Sequence, residues 1–392
     1  MLLFIVYVTR ESLFMIESIY TNYRLQLPTE EVVGTLVVRD GRIADIQPGV
    51  VAQGENGAGD YLLPGLVELH TDNFEQRLSP RPKVCWPMDM AAVHHDRDLA
   101  AAGITTVCDA IAVGDITPDS MRMTQFDPMI NTIHDGQTAG RFAVDHRLHL
   151  RCELGYEAVH EVTATYAEHP LLALISLMDH TPGQRQFVQI DKYKEYYQGK
   201  HGVSSAEMEA FIQTRIDAQQ RHAEDNRRKL VELTQAHQIC LASHDDATPE
   251  HVQEALQDGA KIAEFPTTLD AAKAAHQHGL QVLMGAPNLI LGGSHSGNVS
   301  AMELIEQDLV DIISSDYVPQ SLVQAIFLIA QQQQKPVYEA MRLFTANPAR
   351  AIGLDRDRGS LAVGKRADFL TIHYDGTVPR LTAVHRQGRR IA

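Results

Sequence analysis

Between residues 61 and 317 the chain repeats one pattern eight times: an apolar run of strand length that ends in polar residues. The runs are YLLPGLVEL, GITTVCDAI, HRLHLRCEL, LLALISLMDH, QICLASHDD, AKIAEFP, LQVLMGAPN and VDIISSDY. Helical patterning lies between several of them, over 205–237, 249–258 and 268–278, then 301–308, with 336–346 after the last. A strand followed by a helix returns to the sheet parallel to its predecessor, because the crossover carries the chain back to the starting edge. Eight such units predict a (β/α)8 barrel. An open doubly wound sheet is the structural alternative. No G-x-G-x-x-G follows any run, which argues against it.

The two ends of the chain read differently. GTLVVRDGRIADIQPG (34–49) reads as two short strands around an Asp40-Gly41 turn. Residues 361–392 have the same character, punctuated by Gly364, Gly376 and Gly388. The ends therefore predict one small β-sandwich domain, residues 15–64 with 362–392, beside a catalytic barrel at 65–361. A chain of 392 residues is long enough for both.

The opening MLLFIVYV lacks a basic flank and is too short to span a bilayer. Residues 1–14 are read as an upstream extension, with Met15 as the natural start. The cysteines Cys85, Cys108, Cys152 and Cys240 form no C-x-x-C pair and read as free thiols of a reducing cytoplasm. A formal net charge of −16 disfavours nucleic acid and anionic membranes as partners. An anionic ligand would need a local group of cations.

A barrel of this kind places its active site at the C-terminal ends of the strands. Those ends carry His70 and Asp72, Glu153, Asp179 and His180, then His244 with Asp245 and Asp246, Glu264 and Asp316. Imidazole and carboxylate are the donors that Zn2+ or Mn2+ takes. Residues two apart on a strand face the same side, so His70 and Asp72 can converge on one ion. Any one of these residues alone is more often a hydrogen-bonded polar side chain than a ligand. Their recurrence in one register is what points to a divalent metal.

The segment LLPGLVELHTDN resembles the first-strand signature of the amidohydrolase superfamily, where Pro-Gly leads into H-x-H. TANPARAIGL and RGSLAVGKRADFLTI are similar to that superfamily's tail, which returns the chain to a small β domain. The resemblance implies a metal-dependent barrel hydrolase, and a homodimer. The chain departs from the pattern in three places. Asp72 stands where the second histidine would be, Glu264 stands where histidine is frequent, and no strand-end lysine is available as a metal bridge. With ELHTDNFEQRLSPRP, SLMDHTPGQRQF, SHDDATPEH and GAPNLILGGSHSGNVSA, these departures are similar to a diphosphatase branch of the superfamily. That branch acts on a nucleotide-like ribose 5-triphosphate in phosphonate use, releasing pyrophosphate.

On this resemblance His70, Asp72, Glu153, His180 and His244 hold one or two divalent ions, with Zn2+ expected, Mn2+ the alternative and Glu153 the bridge. Asp316 binds metal or takes the proton of the attacking water. Glu264 is either a further ligand or a carboxylate capping the next helix, and Asp245 and Asp246 orient His244 or cap the helix near Pro249. Arg77, Arg81 and Lys83, just past the first ligands, are candidates for the triphosphate. So are Arg185, Lys192, Lys194, Lys200 and His201 in 181–205, read as a lid, and the Gly-rich loop 292–300 with His295 and Asn298. Two rivals stand beside this. One is a cyclic-amide hydrolase, deacylase or deaminase on the same barrel. The other is a non-catalytic barrel, which predicts eroded strand ends.

Overall fold

The computed structural model describes residues 17–81, 84–115, 120–185, 205–294 and 297–392. The expected N-terminal extension, Lys83, His295, and Lys192, Lys194, Lys200 and His201 of the expected lid lie outside the described residues.

Five strands open the chain: β1 (Glu17–Gln26), β2 (Glu31–Arg39), β3 (Arg42–Pro48), β4 (Glu55–Asn56) and β5 (Tyr61–Pro64). The β2–β3 hairpin turns at Asp40 (φ +50°) and Gly41 (φ +77°), as the Asp-Gly pair predicted. Positive φ at both central residues matches the right-handed twist of the flanking strands. The last three strands, β14 (Phe369–His373), β15 (Arg380–Arg386) and β16 (Arg389–Arg390), join the same sheet in the order β16-β15-β14-β5-β1-β2-β3, with β4 on β1. β5 is the seam, parallel to β1 and antiparallel to β14, so the C-terminal strands are zipped onto the N-terminal ones. All eight strands thus form one continuous ladder, packed on a core of its own that includes Tyr20, Leu25, Leu36, Ile43 and Phe369.

The run YLLPGLVEL divides at Gly65. There the chain leaves the small sheet and enters the barrel. A Cβ at Gly65 would lie 2.2 Å from Thr105 Oγ1, so only glycine passes. The barrel strands are β6 (Leu66–Thr71), β7 (Ile104–Val113), β8 (Asp145–Glu153), β9 (Leu172–Met178), β10 (Cys240–His244), β11 (Ile262–Glu264), β12 (Gln281–Gly285) and β13 (Ile312–Ser314). They pair in sequence order, every pair parallel. Asp316 N donates to His70 O (3.1 Å) and Ser314 Oγ to the same oxygen (2.9 Å), drawing β13 onto β6.

All ten residues of β7 are buried, because one face meets the barrel interior and the other the helical layer. Val67, Leu69, Cys108, Leu174, Ala242, Leu283 and Ile312 pack inside the ring as a solid core. The helix Ser205–His237 is 33 residues long, roughly 50 Å at 1.5 Å per residue. Part of it stands beside the strand ends: Gln219 Nε2 donates to Asp179 (3.2 Å), and Asn226 Nδ2 to Leu154 O and Tyr156 O (both 2.9 Å). The helix expected over 336–346 is instead a short turn Val337–Ala340 running into a 3-10 turn Met341–Phe344. It stops at Thr345, whose hydroxyl donates back to Met341 O (2.9 Å) and competes with continued helix.

Candidate active site

On β6 the side chains of Glu68 and His70 alternate with their neighbours, and Asp72 follows the strand as the residue before the helix Asn73–Leu78. Glu68, fully buried, accepts His70 N (2.7 Å) and Ser315 N (2.6 Å), fixing the β6 end against the β13 end. Burial alone pushes its carboxyl up to about 7, against the pull of those two N–H groups. Above it runs an unbroken chain of imidazole and carboxylate. His70 Nδ1 meets Glu264 Oε1 at 3.2 Å, and Glu264 Oε2 meets His244 Nδ1 at 3.1 Å. His244 Nε2 faces Asp245 Oδ2 at 3.4 Å, which also faces His180 Nε2 at 3.6 Å. His180 Nδ1 meets Glu153 Oε2 at 2.8 Å. Five strands contribute through their ends or the residues just past them.

Two overlapping groups in this chain have ligand atoms within 4.8 Å of one another, His70/His244/Glu264 and His180/His244/Asp245, with His244 shared. Either arrangement can hold a divalent cation. Backbone geometry serves it: Asp245 and Phe265 directly after their strands, and Asp316 two residues after β13, turn through the left-handed region (φ +56°, +52° and +52°). Such positions cost a non-glycine residue on the order of 1 kcal/mol each. The Phe265 ring meets His70 edge-on at 4.9 Å and His244 at 5.5 Å, holding both imidazoles in place.

The electrostatics divide the site. Burial pushes His70 down to about 3 in spite of Glu264, leaving a neutral imidazole suited to a metal. Burial opposes charge on His180 and on Glu153, but their mutual attraction wins, raising His180 to about 9 and lowering Glu153 to about 2. Burial works against ionised Glu264 too, yet His149, His70 and His244 hold it well below the usual carboxylate range. Asp316 moves the other way, up to about 7, through burial and then the negative charge of Asp72. Asp72 is also raised by burial, with Arg151 opposing, and its Oδ1 is buried with no hydrogen-bond partner among the described residues. A concentration of carboxylates with an orphaned oxygen fits a cation.

The cations nearest these carboxylates are not the ones expected. Arg151 Nη1 lies 3.7 Å from Asp72 and Arg215 Nη2 3.2 Å from Glu153. Arg77, half exposed, pairs with Asp98 at 2.6 Å on the helix Met88–Ala101, and Arg81 is exposed. Arg185 is buried and pairs with Asp246 and with Glu254 (2.8 Å), while donating to His244 O (3.3 Å). It is a strut beneath the β10 end, with its guanidinium engaged by protein. Asn298 is half-buried in a loop anchored by Val299 N to Thr267 O (3.0 Å), next to the β11 end.

Arg151, Arg215, Glu68 and His149 escaped the sequence reading. His149, Arg151 and Glu153 alternate on β8, so strand periodicity alone could have found two of them. His149 bonds Leu69 O (3.0 Å) and Ser176 Oγ (2.8 Å) beneath His70. Arg215 sits mid-helix, where no local signal marks it. A cavity of about 380 Å³ beside Glu153 is lined by Thr181, Tyr156, Arg215, Arg221 and His222 among others. A third histidine–carboxylate group, His95, Asp109 and His146, is buried between β7, β8 and the helix Met88–Ala101.

The sequence pattern of the Amidohydrolase family matches residues 91–387, beginning past His70 and Asp72. The chain is 45% identical over 378 residues to the alpha-D-ribose 1-methylphosphonate 5-triphosphate diphosphatase of Escherichia coli, covering 95% of this chain and 100% of that one. Among solved structures, N-acetylglucosamine-6-phosphate deacetylase from Pasteurella multocida superposes with a TM-score of 0.63 at 13% identity, over 96% of this chain and 100% of the other. N-isopropylammelide isopropylaminohydrolase from Burkholderia multivorans superposes at 0.61 with 16% identity, over 96% and 98%. At such identities the two structures speak for the fold alone. The family match through most of the barrel, together with a relative of nearly half identity along almost the whole chain, establishes that this protein belongs to the amidohydrolase family.

Proposed function

We propose that the chain hydrolyses alpha-D-ribose 1-methylphosphonate 5-triphosphate to the 5-phosphate and pyrophosphate, in phosphonate catabolism. The observation that carries this reading is the 45% identity, along the full length of the relative, to a diphosphatase of that substrate. The domain limits 65–361 for the barrel and 15–64 with 362–392 for the small domain belong to the same proposal. So do a cytoplasmic location and a homodimer. Among the described residues no helix is long and apolar enough to cross a membrane.

His70, Asp72, Glu153, His180 and His244 would hold the divalent ion or ions, Zn2+ first and Mn2+ as the alternative, and Glu264 joins them by its place between His70 and His244. A bound cation supplies a water of lowered pKa and neutralises charge on a phosphoryl oxygen. Metal binding requires unprotonated ligands, so His180 would have to be neutral to hold the ion. Asp316, with a carboxyl raised to about 7, can take a proton near neutral pH and is assigned as general base. Arg151 and Arg215 are assigned to the triphosphate oxygens, as the guanidiniums nearest Asp72 and Glu153. Arg77 and Arg185 are released from that role by the carboxylates they already hold.

The test is pyrophosphate release from the ribose 5-triphosphate, with metal content measured on the same samples, for wild type and Asp72→Ala. Release by wild type, lost with metal in the variant, is expected. Hydrolysis of a neutral cyclic amide with no pyrophosphate release would overturn the reaction and keep the barrel site.

A further inference from the structure

At the opposite end of the barrel from the catalytic mouth, a second cavity of about 380 Å³ lies between the loop leading into β8 and the β15–β16 hairpin. Five arginines line it, Arg97, Arg141, Arg386, Arg389 and Arg390, and no aspartate or glutamate does. The chain as a whole has 34 lysines and arginines against 50 acidic residues, so this concentration runs against its charge balance. The cavity and the mouth are separated by the length of β8, roughly 25 Å at 3.3 Å per residue.

Most of these guanidiniums lack a carboxylate. Arg141 and Arg389 make no side-chain hydrogen bond or ion pair among the described residues. Arg390 donates only to backbone oxygens, Ala392 O (3.0 Å) and Thr382 O (3.1 Å). Arg97 reaches Ile391 O (3.4 Å), and its carboxylate partner Asp96 is 3.9 Å away. Arg386 is held by Ala143 O (2.9 Å) and Phe142 O (3.4 Å), while its Nε is buried with no partner among the described residues. A buried cationic donor without an acceptor is costly, and an anion in the cavity would satisfy it. Guanidinium forks match the paired oxygens of phosphoryl groups, and several around one concavity suit a ligand with more than one phosphoryl group.

We infer that this arginine-lined cavity is a binding site for a compact phosphate polyanion, separate from the catalytic mouth. It stands independently of the hydrolytic reading. Its size admits a diphosphate or a small phosphorylated sugar.

Inorganic pyrophosphate is the probe. Its binding to the full-length metal-loaded protein is followed by titration calorimetry at fixed ionic strength, for wild type, Arg386→Gln and the double variant Arg141→Gln/Arg389→Gln. One class of sites should weaken about tenfold or more in each variant, the scale of one lost charge-assisted contact. Hydrolytic kcat and KM should stay within twofold, since none of these residues is at the mouth. The double variant alters only exposed side chains without partners, so it decides the matter even if Arg386→Gln does not fold. An unchanged isotherm in the double variant overturns the site. Equal affinity for sulfate and pyrophosphate overturns the choice of a polyphosphate ligand.

Discussion

Two buried clusters of histidine and carboxylate lie in different parts of the barrel, one at the strand ends and one behind β7 and β8. The mouth chain His70–Glu264–His244–Asp245–His180–Glu153 lies at the strand ends. The other, His95–Asp109–His146–Asp96, lies between β7, β8 and the helix Met88–Ala101. Both contain groups with ligand atoms close enough for a metal. They differ in the balance of donors and acceptors. In the outer cluster, Asp109 gives one oxygen to His95 Nε2 (2.6 Å) and the other to His146 Nδ1 (2.7 Å). Asp96 takes His146 Nε2 (3.3 Å) with the backbone N–H groups of Ala143 (3.0 Å) and Val144 (2.9 Å). Every carboxylate oxygen there has a donor, and Phe74 stacks on His95 at 5.4 Å to close the side. At the mouth, Asp72 Oδ1 has no donor among the described residues, and Asp316 is pushed up by burial and then by the negative charge of Asp72. Residue type does not separate an ion network from a metal site. Carboxylate satisfaction does: in the outer cluster each oxygen of Asp109 and Asp96 is matched, and the atom left without a partner among the described residues is a ring nitrogen, His95 Nδ1, whereas at the mouth it is a carboxylate oxygen.

The comparison breaks most sharply at His244, which belongs to both mouth groups. His244→Ala should lower turnover by roughly a thousandfold or more and deplete the bound metal, as expected for loss of a ligand that activates water. Metal analysis and pyrophosphate release read it. Retained metal with full activity would remove His244 from the site.

Next in size is Asp109→Asn, which takes from the buried His146 the nearer of its two carboxylates and leaves Asp96. Unfolding in urea should show a loss of about 3–5 kcal/mol, with metal content per folded molecule unchanged. A metal loss as large as that of His244→Ala would make the outer cluster a metal site after all.

Arg151→Gln removes the cation beside Asp72 and should raise KM for the triphosphate by roughly 10- to 100-fold, with a smaller effect on stability. An unchanged KM would return the phosphate contacts to other cations.

The outer cluster also carries a pH signature. His146 is raised to about 9 because Asp109 and then Asp96 overcome its burial. A histidine with a folded pKa above its unfolded value stabilises fully below the unfolded pKa of about 6.5, and the contribution fades as pH rises through about 9. Stability should therefore fall between about pH 6.5 and 9 in wild type, and less so in His146→Gln, measured by urea midpoints across that range. Smallest of all, Arg77→Ala breaks a half-exposed pair with Asp98. It should shift stability by about 0–1 kcal/mol and leave KM untouched.

Arg77 also shows where local reading stops. It follows Asp72 by five residues, and proximity in sequence placed it at the substrate. The chain between them enters the helix Asn73–Leu78, which turns about 100° per residue and delivers Arg77 to Asp98 on the neighbouring helix instead. The strand ends were legible because a strand holds its direction. Glu68 and His70, or Arg151 and Glu153, share a face by the two-residue repeat alone. The Asp40-Gly41 turn was legible for the same reason, since its backbone demand is met within two residues.

The sequence by itself determined the alternation of strands and helices, the polar residues at the strand ends, and the union of the two chain ends in one small β domain, though as a single sheet where a sandwich was expected. These follow from periodicity, turn chemistry and composition, which act over a few residues. Tertiary structure alone decided that Glu264 stands between His70 and His244, that Arg215 descends from a long helix onto Glu153, and that Arg185 is spent on Asp246. It also decided that His95 and His146 close on Asp109. Each of these depends on which distant residues share a dry space. There every charge must find its partner, and no local pattern carries that information.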